Sequence, residues 1–131
     1  MDVALKVRAG EPIDIRTGVA NVIWQGDSTS HILRCLLHGS TPARPINIGA
    51  PQTTSIREVA HRFGEIFGRE PVFSGTEQTT AWHNDCSEAQ RLFGDPVVPL
   101  EQMIRWNADW LSRDLPLHHK PTHYEARDGD F

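Results

Sequence analysis

From Gly18 to Gly94, short apolar runs alternate with longer stretches of helical period, and nearly every one is closed by glycine or proline. That alternation constrains the chain most. Period-two and period-3.6 segments in turn, with breakers between them, predict an α/β fold in which helices cover short strands. The strongest signal is a helix beginning after Ser55. Ser55 and Glu58 form a capping box, and Ile56, Val59, Ala60, Phe63, Ile66 and Phe67 recur at three- and four-residue spacing until Gly68. One face of this helix must be covered by the rest of the fold.

Other elements follow from the same signals. Residues 2–9 are weakly helical, in the manner of a helix tail, until Gly10-Glu-Pro12 breaks the run. Ile13-Asp-Ile15, Val22-Ile-Trp24, Ile46-Asn-Ile48 and Val72-Phe73 read as short strands. Asp27-Ser-Thr-Ser30 offers side-chain oxygens to a helix start, and Ile32, Leu33, Cys35, Leu36 and Leu37 make that helix apolar over more than half its girth. Such a helix is expected to be buried between layers. With the strands at Val22 and Ile46 it forms a βαβ unit, whose strands would be parallel. Ser87 to Phe93 reads as a short helix and Leu100 to Leu111 as a longer one, with Trp106 and Trp110 widening its apolar arc. The total is four to five helices. Residues 1–114 form one α/β unit on this reading, and 115–131, which show neither period, form an irregular tail.

The 131 residues, 38% apolar and 23% charged, suffice for one domain with a core. Thirteen Lys and Arg against seventeen Asp and Glu give a net charge of -4 and no basic cluster. This argues against nucleic acid as a partner, since a phosphate backbone is held mainly by Lys and Arg. No run is long and apolar enough to cross a membrane and no signal peptide opens the chain, so a cytoplasmic protein is expected. Cys35 and Cys86 lack the spacing of a redox or zinc motif and read as buried reduced thiols.

Several of these segments, taken in order, resemble one known family. The glycine-led strand of Gly18 to Asp27, Ile46-Asn-Ile-Gly49, Thr54-Ser-Ile-Arg-Glu-Val59 and Asp85-Cys-Ser-Glu-Ala89 up to Gly94 are similar to the C-terminal part of extended short-chain dehydrogenases/reductases. The branch resembled is the NAD-dependent epimerase/dehydratase family, over roughly residues 1–112. The resemblance implies a small α/β substrate-binding portion of a Rossmann-type oxidoreductase, with NAD or NADP in the parent enzyme and a small hydroxylated or carbonyl substrate. It also exposes absences. The chain has no glycine-rich dinucleotide fingerprint, hence no Rossmann cofactor domain, and its single tyrosine, Tyr124, is not followed by a lysine at the fourth place. No cofactor is therefore expected in this chain, and no catalytic residue. In sugar-nucleotide epimerases of the family an arginine stands two places after the glycine of the first segment, to clamp the diphosphate, and a second is expected near residues 74–78. Here the first place holds Ala20 and the second region has no arginine, which implies a substrate less anionic than a nucleotide-diphosphate sugar.

Candidate pocket residues are Asn21, Trp24 and Gln25 at a strand end, where α/β folds place ligands, and Trp82 and Asn84 in a polar-aromatic loop. They would supply aromatic plates and polar grips for a hydroxylated ligand. The competing reading puts Trp24 in the core, Gln25 in a turn and the loop at the surface. Asp27 reads as a helix cap. His118, His119 and His123 with Glu125 and Asp128 match no metal-binding spacing, so no metal site is expected. Three functions follow: the substrate-binding portion of an oxidoreductase, not catalytic alone; a standalone ligand-binding or interaction module; or a truncated piece. The last exposes apolar surface where a missing Rossmann domain docks, or self-associates through it.

Overall fold

The computed structural model describes residues 1–81, 83–120 and 122–126. Elements run α1 (Asp2–Ala9), β1 (Ile13–Asp14), β2 (Val19–Asn21), α2 (Gln25–Cys35) with a 3-10 turn (Leu36–His38), β3 (Thr53–Ser55), α3 (Ile56–Phe67), β4 (Phe73–Ser74), α4 (Ser87–Phe93) and α5 (Leu100–Ser112). This is the expected α/β class, with five helices and short strands among the described residues. The Ser55 hydroxyl accepts the Glu58 amide at 3.3 Å, and Gly68 closes α3 in the left-handed region at φ 62°.

Helices α1, α3 and α5 enclose the core. Ala4 and Val7 from α1, Ala60 and Phe63 from α3, and Ile104, Ala108 and Leu111 from α5 meet Ile13 from the parallel pair and Ile15 just beyond it. In that pair β1 lies beside β4, with Ile13 opposite Phe73. Residues beyond α5 return over α1. There the Thr122 amide and hydroxyl donate to the Asp2 carboxylate at 2.8 and 2.7 Å, and Tyr124 packs on the core.

Two expectations fail. The βαβ unit does not form: β2 pairs with β3, antiparallel, with Val19 opposite Ser55 and Asn21 opposite Thr53. Ile46-Asn-Ile48 takes no ladder position; Asn47 instead donates its amide to the Asp85 carbonyl at 3.1 Å. The run is three residues long and begins after Pro45, which has no N–H to give. Helix α2 is also not buried between layers of this chain. Its buried residues are Asp27 and His31, whereas Ile32, Leu33, Leu36 and Leu37 are 56, 62, 80 and 85% exposed. Smaller departures occur elsewhere. Ile66 is 44% exposed, and Trp106 and Trp110 are half-exposed. Cys35 sits part-exposed in the last turn of α2, and Cys86 is buried just before α4 instead of inside it.

Candidate functional site

Strand β2 ends at Asn21, and that side chain gathers two loops. Its Nδ2 donates to the Ala50 carbonyl at 2.9 Å and its Oδ1 accepts the Asn84 amide at 2.8 Å. Below them Gly49 lies so close to Cys86 that an added Cβ would stand 2.9 Å from the sulfur. Glycine is required there by the close approach. Burial, then the Asp85 charge, pushes the Cys86 thiol pKa up, so this sulfur is a packed group and not a nucleophile. Asp85 turns the chain into α4 by accepting the Ser87 amide at 2.9 Å, which holds its pKa down. His83 Nδ1 lies 3.4 Å from Thr53 Oγ1.

The structure thus brings Asn21 and Asn84 together. An asparagine amide has two N–H groups and two acceptor lone pairs, so Asn21 keeps one of each beyond its two bonds. Asn84 is exposed; its backbone N–H donates to Asn21 and its carbonyl accepts from the Cys86 thiol at 3.5 Å. Trp24 does not join them. It caps α2, folds its ring over Gly26 and meets Trp106 of α5 with centroids 5.6 Å apart. Gln25 opens α2 at the surface, and Trp82 lies outside the described residues. Asp27 is structural but caps nothing: the helix starts two residues earlier, and Asp27 Oδ2 accepts the Val98 amide at 2.9 Å, tying α2 to the loop before α5.

A groove of about 620 Å³, which none of the described candidates lines, opens between β3 and the first turns of α3 and α5. Its walls include Thr54, Val59, Leu100 and Ile104, and its rim carries Glu58 and Arg62. The helix starts after Ser55 and at Leu100 are visible in the sequence, but nothing there shows that they face each other. The Arg62 guanidinium is engaged by Glu101 at 2.9 Å and by Glu65. Arg62, then Arg105, holds the Glu101 pKa below the usual range. That depressed carboxyl, tied to two guanidinium groups, is a poor proton carrier near neutrality.

Nor do the described residues fit a dinucleotide. β3 runs straight into α3, where the Ser55 hydroxyl already holds the amide that a phosphate would seek, and no glycine turn intervenes. The single tyrosine does lie near a lysine, with Lys6 Nζ 5.6 Å from the Tyr124 ring centroid. Yet burial, followed by the charges of Glu125, Asp14 and Asp2, pushes the phenol pKa up to about 12, the wrong direction for proton transfer. Absorbance titration of this lone phenol should therefore give a midpoint about 2 units above that of an unfolded tyrosine. A raised folded pKa favours the folded state fully below pH ~10, and the contribution is lost as pH rises through ~12. A midpoint at the ordinary value would refute the docked tail. Among the described residues no group of three or more His, Cys, Asp or Glu could hold a metal, and Asp128 of the histidine tail lies outside them.

This fold is α/β and matches a part of the NAD-dependent epimerase architecture. The UDP-glucose 4-epimerase of Thermotoga maritima, solved with UDP-glucose, superposes with a TM-score of 0.64 at 18% identity, over 86% of this chain and 38% of that one. The UDP-glucuronic acid 4-epimerase of Bacillus cereus, in complex with NAD, gives 0.65 at 18% identity, over 88% and 40%. An epimerase of Methanothermobacter thermautotrophicus gives 0.67 at 13% identity, over 86% and 36%. The chain spans about two fifths of the length of these structures. No family model and no curated protein matches it.

Proposed function

We propose that this chain is the substrate-binding portion of an NAD(P)-dependent epimerase/dehydratase-like oxidoreductase and is not catalytic by itself. The carrying observation is the fold match, which takes in most of this chain and about two fifths of each epimerase. Residues 1–114 would be the working unit, 115–131 its tail, and the setting cytoplasmic. Hydride chemistry would come from NAD or NADP held on other residues. The contribution of this chain is orientation, because a reacting carbon must be held within about 3–3.5 Å of its partner in a fixed pose. Asn21 would fix the loop geometry and Asn84 would present its free amide to a hydroxyl or carbonyl oxygen. Ala20 on β2 supports a ligand without a diphosphate, since no guanidinium stands there.

Isothermal titration tests this reading. A panel of small polyols and hydroxy ketones should yield at least one ligand whose binding weakens severalfold in Asn84→Ala, a change that leaves the backbone bond to Asn21 intact. NAD should give no heat, and neither should UDP-glucose at micromolar concentration. Turnover of NAD with any alcohol by this chain alone overturns the proposal. The second reading, a standalone binding module, draws on the core closed by α1, α3 and α5 under a docked tail. Tight ligand binding with no other polypeptide present would favour it.

A further inference from the structure

The strand that leads into α3 keeps one edge open. Ile56 donates its N–H to the Gly18 carbonyl at 3.0 Å, and Val19 stands opposite Ser55. Bonded and non-bonded pairs alternate along an antiparallel ladder, so Ala20 and Thr54 make the next bonded pair, and the main-chain groups of Thr53 and Ser55 turn away from β2. As the cap of α3, Ser55 gives its carbonyl to the helix. That leaves the Ser55 N–H and both main-chain groups of Thr53, for which the described residues supply no partner. The capping box is also half made. The Ser55 hydroxyl accepts the Glu58 N–H, but among the described residues the Glu58 carboxylate returns no bond to the Ser55 N–H and joins no ion pair. The neighbouring carboxylates are taken, Glu65 and Glu101 both by Arg62. Glu58 and the β3 edge line the same groove, together with the apolar Val59, Leu100 and Ile104.

We propose that this edge accepts an extended segment of another polypeptide as an added strand, with a basic residue for Glu58 and an apolar side chain for the groove. Three features select that occupant, and none depends on the oxidoreductase reading. Main-chain donors and an acceptor at strand spacing are matched in full only by another peptide backbone, which is how exposed edges recruit segments. The open carboxylate calls for a cation, in a chain whose net charge of -4 already draws basic partners. Side chains of an added strand alternate between faces, so the residue opposite Thr54 shares the face of that 8% exposed side chain and meets the apolar wall. A small organic ligand would fill the groove and leave the edge unmet. A second copy would bring only a stub, since no strand among the described residues exceeds three residues.

Fluorescence anisotropy and amide exchange on the whole chain test this with a short labelled peptide of alternating valine and lysine. The peptide should bind, and the Ser55 amide proton should shift and exchange more slowly, because it gains an acceptor. The counterpart of alternating valine and glutamate should bind at least about tenfold more weakly. A fully N-methylated valine-lysine peptide keeps its charge and apolar surface but has no N–H to give the ladder, and it should not bind. Glu58→Gln should weaken the valine-lysine peptide severalfold at low salt, with the gap closing as salt rises, and should leave the melting temperature unchanged. No binding of the valine-lysine peptide, equal binding of the two charge types, undiminished binding of the N-methylated form, or binding that leaves Ser55 unaltered overturns the proposal. So does Ser55 protection that grows with protein concentration in the absence of peptide, which would assign the edge to a second copy.

Discussion

Phe63→Ala should cost about 3–5 kcal/mol of stability. Phe63 is 3% exposed and stacks almost parallel on Phe67, with centroids 6.0 Å apart, in the centre of the α1–α3–α5 core. Truncation removes buried apolar surface and leaves a cavity that α1 and α5 cannot close without losing their own contacts. For a chain of this size the melting temperature should fall by roughly 10 °C or more. Ile66→Ala on the same helix is the control, because a side chain 44% exposed has little to lose. Thermal unfolding followed by circular dichroism decides the matter, and equal losses in the two variants would show that α3 is not buried as described.

The second large effect is electrostatic in origin. Asp27→Ala should cost about 1–3 kcal/mol, because the Val98 amide loses its acceptor in a part-buried place. Asp27 is itself 7% exposed, so water does not readily replace it. Asn keeps an acceptor oxygen in nearly the same position, and Asp27→Asn should retain much of the stability. Urea unfolding measures both, and amide exchange localises the effect: the Val98 proton should exchange faster in the alanine variant than in wild type. An unchanged exchange rate would mean that α2 and the loop before α5 are held together by something else.

The helices were legible because each repeats one physical requirement several times. Six apolar positions in α3 vote for the same face, and Ser55 with Gly68 marks both ends. Strand partners were not legible, because β1 and β4 are two residues long and β2 and β3 three. A ladder so short carries no pattern that distinguishes Thr53–Ser55 from Ile46–Ile48 as the partner of β2. The apolar character of α2 was read correctly and its destination wrongly, since a stripe says that something must cover it and not that this chain supplies the cover. The site shows the same limit. Asn21 and Asn84 stand out in sequence as polar residues in exposed settings, but the contact between them depends on a 63-residue separation that spacing alone cannot bridge. Trp24 looked like a pocket plate, and only the fold shows its ring turned to Trp106.

The two sulfurs give the molecule an unplanned asymmetry. Cys86 is sealed beneath Gly49 with its thiolate disfavoured, whereas Cys35 reaches solvent beside Leu36. A thiol-selective dye would therefore settle on the last turn of α2 without any engineering, next to the aliphatic stripe, and its emission would report whether that stripe is wet or covered.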